Sequence, residues 1–135
     1  MSKRVFLDTN IIADIIDATR ANHQTSFKLL EALILREHSI CISEDMLSTL
    51  YYISKNKTAT LAFFKNVIFI DWEVFSFGSE VIREAIEISL KINSDFEDIL
   101  QCLCAKHNHC SALISNDKKF YNCGINIYSS NEFIK

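Results

Sequence analysis

Short runs of consecutive apolar residues alternate along this chain with longer stretches in which apolar residues recur every three or four positions. The runs are "RVFLD" (4–8), "SICIS" (39–43), "VIFIDW" (67–72), "ALIS" (112–115) and "INIYS" (125–129). Continuous apolar runs of this length read as strands buried on both faces. Between them, Ile11, Ile12, Ile15 and Ile16 give a helix over 10–17 one apolar side, and Phe27, Leu30, Leu33 and Ile34 do the same over 23–37. Met46, Leu47, Leu50 and Ile53 mark a third helix, and a fourth is expected around 57–66. Val81, Ile82, Ala85, Ile86 and Leu90 pattern a helix over 79–91. "DFEDILQCLCAKH" (95–107) opens with acids, which suit the positive end of a helix dipole. Strands alternating with helices in this way predict an α/β fold, a parallel sheet covered by helices on both faces.

Composition sharpens the picture only slightly. The chain has 135 residues, enough for one domain with a real core, with no proline and only two glycines. That poverty of breakers favours helices joined by short connections over a loop-rich protein. The basic start and apolar stretch of "MSKRVFLDTNIIADII" raise the question of a signal peptide, but Asp8 and Asp14 interrupt it and no small-residue cleavage site follows. No segment approaches the ~18 uninterrupted apolar residues of a transmembrane helix. The expectation is a cytoplasmic protein with no membrane partner. Five cysteines, an odd number placed mostly inside apolar patterns, are expected to be buried free thiols in a reducing compartment.

The candidate chemistry lies where the strands end. In an open parallel sheet the functional crevice forms beyond the carboxyl ends of the strands. Asp8 closes the first strand, Glu44 follows the second, and Asp117 follows "ALIS" by two residues. Asp95 and Asp98 stand at the start of a helix with i, i+3 spacing on one face, with Glu97 between them expected to point away. Any one of these acids is more often a turn former, a helix cap or a first-turn charge. Their accumulation at strand exits and helix starts is what singles them out. Converging carboxylates repel unless cations neutralise them or some stay protonated. Oxygen-only donors favour a hard cation, Mg²⁺ or Mn²⁺, which suits phosphate chemistry.

Four segments carry a family resemblance. "VFLDTNIIADII" is similar to the opening of PIN domains, a strand ending in an aspartate followed by a hydroxyl residue and Asn. "SEDMLSTLYY" resembles their second motif, a strand followed by a glutamate on a helix. "DFEDILQCLCA" resembles the third, and "LISNDKKF" the fourth. They stand in the family's order over residues 5–120. The chain thus resembles the PIN family throughout, as one domain over 1–135, and especially the bacterial toxin ribonucleases of the virulence-associated type. The resemblance implies a three-layer α/β/α fold with a five-stranded parallel sheet. It also implies metal-dependent cleavage of RNA with one or two Mg²⁺ or Mn²⁺ ions, a small antitoxin partner and a homodimer. Carried over residue by residue, Asp8, Glu44, Asp98 and Asp117 fall on the catalytic and metal-site positions, and Asp95 on a neighbouring acidic one. Thr9, Asn10 and Ser115 match the polar residues that hold the cluster. "SND" replaces the commoner Thr-Arg-Asp, which puts a basic substrate contact at residue 116 in doubt, although Lys118 and Lys119 follow.

The net charge of −3 is unusual for an RNA binder. The five candidate acids more than account for it, so the rest of the chain is slightly basic. From Met46 to Ile70 there is no acid, and Lys55, Lys57 and Lys65 sit among Tyr51, Tyr52, Phe63 and Phe64. Two readings are open: an RNA groove with Lys55 and Lys57 on phosphates, or, favoured, core and dimer contacts with solvated lysines. "CLCAKHNHC" has the composition of a zinc site without its spacing. Asp14 and Asp17 are expected on a solvated helix face. No histidine lies beside the motifs. A haloacid-dehalogenase-type phosphatase would need a second acid at position 10, where Asn10 stands. The remaining alternative is a PIN-like scaffold that binds RNA or protein without cutting.

Overall fold

The computed structural model describes residues 3–135. Its centre is β1 (Arg4–Leu7), with Val5, Phe6 and Leu7 all buried. Phe6 pairs with Cys41 of β2 (Ser39–Ser43) on one side and with Leu113 of β4 (Ala112–Ile114) on the other. β3 (Glu73–Phe75) and β5 (Ile127–Tyr128) form the edges, and all pairings in the order β3-β2-β1-β4-β5 are parallel. The expected five-stranded parallel sheet is therefore present. The chain runs outward from β1 to β3, crosses back over the sheet, and continues from β4 to β5. With right-handed crossovers the two halves lay their helices on opposite faces. Connections leave β1 and β4 in opposite directions, which opens a crevice between their carboxyl ends.

Several helices begin where side chains cap them. Asp8 caps α1 (Thr9–Ile16), Asn56 caps α4 (Lys57–Phe63) by accepting from Ala59 N, and Asp95 caps α7 (Phe96–His107). Helix α2 (His23–Leu35) packs on α1 through Leu29 and Leu33, both buried, and α3 (Asp45–Ile53) also meets α1. On the other face, α6 (Gly78–Lys91) pairs with α7, which in turn packs across β2 and β4. Among the described residues no helix is long and apolar enough to cross a membrane.

Four sequence expectations are corrected. The run 67–72 is not a strand: α4 continues through a π-helical stretch, Phe64–Ile68, into a short helix α5 (Phe69–Asp71), and β3 starts only at Glu73. Phe64 and Ile68, four residues apart, are both buried while Phe69 and Ile70 are exposed, a helical rather than an alternating pattern. A short helix α8 (Ser130–Ile134), closed by a capping box between Ser129 and Glu132, ends the chain where only a strand was expected. Asp14 is not solvated; it is buried and paired with Arg20 at 2.7 Å. Finally, Cys102 of α7 is joined to Cys123 in a disulfide, and only Cys41, Cys104 and Cys110 are free. The pair spans 21 positions of sequence with no local signal linking them. In denaturant without reductant, a thiol titration is expected to count three thiols, rising to five after reduction. A count of five from the start would remove the disulfide.

Candidate functional site

Asp8 follows the last residue of the central strand and is only 7% exposed. Its backbone N–H continues the β1–β4 ladder by donating to Ile114 O at 3.0 Å. Its carboxylate accepts from Thr9 N at 2.7 Å through Oδ1 and from Ser115 Oγ at 2.8 Å through Oδ2. Ser115 lies just past β4, and its hydroxyl also accepts from Asp117 N at 3.1 Å. One serine thus ties the two strand exits together. Asp117 is exposed on the following turn and accepts from Lys119 N at 2.9 Å.

The first turn of α7 faces this pair from across the crevice. Asp95 caps the helix by accepting from Asp98 N at 3.1 Å. Burial, then the charges of Asp8, Asp95, Asp117 and Glu97, push the Asp98 carboxyl up to about 7. Asp8 is raised as well, chiefly by burial, with Asp117 and Asp95 adding to the effect and the bonds from Ser115 and Thr9 opposing it. Glu97 was expected to point away from these acids. It does not: its carboxyl is raised by burial and by Asp45, Asp95 and Asp8. The face argument fails because Asp95 has extended backbone and stands outside the helix, so 95 and 98 are related by capping rather than by helical rotation.

Glu44 is not drawn into this group. It is exposed at the end of β2 and accepts from Ser76 Oγ, past β3, at 3.2 Å. Its neighbour Asp45, held by a hydrogen bond from Ser43 Oγ, is the acid whose charge reaches Glu97. Asn10 is exposed and accepts from Arg20 Nη2 at 3.4 Å, so among the supporting polar residues only Thr9 and Ser115 touch the cluster directly. Sequence reasoning passed over Gln101. Buried at 1% exposure within the apolar stretch of α7, it donates from Nε2 to Thr9 Oγ1 at 3.1 Å and to Glu97 Oε1 at 3.2 Å. A lone amide on an otherwise apolar helix face, four residues after a glutamate, was the available signal.

The candidate lysines divide. Lys118 and Lys119 are exposed beside Asp117. Lys55 donates to Thr19 Oγ1 at 3.1 Å, and Lys57 donates to the carbonyls of Tyr51 and Ser54 while lying over the Tyr51 ring. Lys57 is thus occupied at the negative end of α3.

Among the described residues, none of Asp8, Asp95, Glu97, Asp98 and Asp117 is ion-paired with a lysine, arginine or histidine. No group of three acidic, histidine or cysteine side chains there is gathered closely enough to hold a metal ion as it stands. The carboxylates are near enough to raise one another's pKa without converging on one point. An uncompensated set of oxygen donors of this kind fits a hard divalent cation, which would relieve their repulsion.

The sequence profile of the PIN domain matches residues 5–125. The chain belongs to the PIN-domain family. It is 37% identical to Ribonuclease VapC1 of Aquifex aeolicus over 98% of this chain and 94% of that one. In fold it is similar to VapC20 of Mycobacterium tuberculosis, described as a sarcin-ricin loop cleaving toxin. The TM-score is 0.71 at 17% identity, covering 90% of this chain and 95% of that one. It is also similar to a toxin–antitoxin complex from Klebsiella pneumoniae, with a TM-score of 0.72 at 13% identity, covering 93% and 97% of the two chains.

The raised carboxyls of this PIN domain make its stability depend on pH. An acid whose folded pKa lies above its unfolded value holds its proton more tightly when folded, so stability is greatest below the unfolded pKa. It falls as pH rises through the folded pKa. For Asp98 that window runs from the ordinary aspartate range up to about 7, and Asp8 and Glu97 shift in the same direction. In EDTA, the melting temperature is expected to fall across this window, and Asp98→Asn to flatten the decline. Identical pH profiles for the two proteins would refute the raised pKa of Asp98.

Proposed function

We infer that this chain is a VapC-type ribonuclease, the toxin of a toxin–antitoxin pair, cleaving RNA phosphodiester bonds with the help of Mg²⁺ or Mn²⁺. The observation that carries the reading is Asp8, a buried carboxylate at the switch point of the sheet, near Asp98 and Asp117, with no basic side chain among the described residues paired with any of them. The near-complete relationship to Ribonuclease VapC1 supports the substrate class.

Asp8, Asp98 and Asp117 are the residues that would hold the cation, with Asp95 at their border. When bound, such an ion supplies charge neutralisation at the scissile phosphate and acidification of the attacking water. The chain's own groups do the rest. Thr9 N and Ser115 Oγ fix the orientation of Asp8, so it offers the same oxygens before and after substrate arrives. Asp98, with a pKa near the working pH in the free protein, can hold a proton there and give it up as positive charge enters the site. Ser115, bonded to both Asp8 and the Asp117 backbone, keeps the two strand exits at constant separation. Lys118 and Lys119 flank Asp117 and provide phosphate contacts for RNA entering over the carboxyl end of β4.

The partner reading rests on surface features. A groove of about 180 Å³ between α1, α3 and α4, lined by Ala13, Ile16, Leu50 and Ile53 and bordered by Asp17, Arg20 and Lys55, has room for one apolar side chain of a small antitoxin. Tyr52, Leu61, Phe69 and Ile70 are exposed on α3, α4 and α5, an apolar surface for a second copy of the chain.

Purified protein incubated with varied RNAs and Mn²⁺ is expected to cleave them, and EDTA to abolish cleavage. Asp8→Asn is expected to reduce the rate by roughly 100-fold or more, the scale of losing one charge-stabilising group in an active site. Cleavage that persists in EDTA, or that Asp8→Asn leaves intact, would refute the metal-dependent reading. Metal binding without cleavage of any RNA would favour a PIN-fold scaffold.

A further inference from the structure

We propose that Glu97, held in place by Gln101, is the carboxylate that joins Asp8, Asp98 and Asp117 around the cation, in the role that motif order would give to Glu44. This deepens the metal-dependent reading above and rests on it.

Glu44 lies at the β2–β3 end of the sheet's carboxyl edge, with Oε2 accepting from Ser76 Oγ at 3.2 Å. The crevice between β1 and β4 is bordered instead by the first turn of α7. There Glu97 is tied through the Gln101 amide to Thr9, the neighbour of Asp8. An exposed glutamate on a first helical turn ordinarily swings free in solvent, whereas this one is held at 3.2 Å by Gln101 Nε2.

Gln101 is the second observation. Helical i, i+4 spacing places it on the same face as Glu97. Because an ionised Glu97 offers only acceptors, the amide nitrogen must face it, and the same nitrogen then donates to Thr9 Oγ1 at 3.1 Å. One amide therefore connects Glu97 to the residue whose backbone N–H holds Asp8. The arrangement is costly as mere packing. Gln101 is 1% exposed, and no donor among the described residues reaches its Oε1. An apolar side chain of similar length would fill the space without burying an unsatisfied acceptor. The missing donor is of the kind that the hydration shell of a divalent cation offers, since Mg²⁺ and its analogues keep several waters. Gln101 is accordingly a positioning residue acting through Glu97.

The test is Mn²⁺ binding by calorimetry on the full chain, independent of cleavage, with circular dichroism melts verifying that each variant folds. Wild type and Asp8→Asn set the reference, and Asp8→Asn is expected to lose binding. Glu97→Gln is expected to weaken Mn²⁺ by roughly 10-fold, and Gln101→Met by a similar factor, the scale on which outer partners of metal ligands act. The double variant is expected to bind as Glu97→Gln alone does, because the amide works through the carboxylate. Glu97→Asp keeps the charge without the reach and is expected to fall with Glu97→Gln. Unchanged affinity in Glu97→Gln, alongside loss in Asp8→Asn, overturns this inference and leaves the metal-dependent reading standing. Wild-type affinity in Glu97→Asp overturns it too, since Glu97 would then contribute only charge. Additive losses in the double variant overturn the role given to Gln101. No Mn²⁺ binding by wild type overturns both readings together. If Gln101→Met fails to fold, the Glu97 pair alone decides the matter.

Discussion

A carboxylate buried at the end of the central strand is the constraint around which the carboxyl edge of this sheet is organised. Removing an aspartate from water favours its neutral form, and burial is the largest influence on Asp8. Two donors act against that penalty, Thr9 N and Ser115 Oγ. Each brings a structural consequence. The bond from Thr9 makes Asp8 the cap of α1, so the helix must leave the strand immediately. The bond from Ser115 fixes the exit of β4 against the exit of β1, and through the same hydroxyl orders the backbone at Asp117. A site assembled from residues more than a hundred positions apart is thereby reduced to a few short hydrogen bonds next to one parallel ladder.

The negative charge left over then dominates the surroundings. Asp98 is raised by the charges of Asp8 and Asp117, and Asp8 by that of Asp117, because no basic side chain among the described residues pairs with them, while Asp14, a few residues away on α1, is neutralised by Arg20. The contrast is informative. Where a buried acid in this chain serves only the fold, the chain supplies its counter-ion; where the acids face the crevice, it does not. An unneutralised cluster weakens the fold at neutral pH, and such a cost at a functional edge is intelligible if an external cation offsets it.

Much of this was legible from sequence because two simple periodicities were clean. Runs such as "VFLD" and "ALIS" fit buried strands set between helical patterns, and the rule that crevices form at their carboxyl ends singled out Asp8 and Asp117. The run at 67–72 failed because an apolar stretch of that length fits a buried strand or a helix equally well. Its Phe64–Ile68 spacing, which decides for the helix, begins upstream of the run. The Cys102–Cys123 pair was invisible because long-range pairing leaves no local pattern. Glu97 was misjudged for a more instructive reason. The i, i+3 argument treated Asp95 as helical, whereas a cap residue has extended backbone and gives no rotational reference. Counting forward from Glu97 to the solitary amide at Gln101 would have placed both on one face.

The same reasoning bears on how an acidic PIN domain meets RNA. The fourth motif lacks the basic residue between its hydroxyl and its aspartate, and Asn116 stands there instead. Its side chain accepts from Ser130 N at 2.9 Å and donates to Ser130 Oγ at 3.1 Å, fastening the loop to α8. Position 116 therefore serves architecture. Lys57 is engaged with the carbonyls at the end of α3, and Lys55 with Thr19 beyond the end of α1. Basic charge next to the cluster is thus concentrated in Lys118 and Lys119, on a turn whose start is held by Ser115 and whose base is anchored by Asn116. On the proposed reading, the absent arginine is offset by two lysines whose backbone sits on a fastened turn beside Asp117. α8 then belongs to the substrate side of the molecule because it holds that turn in place.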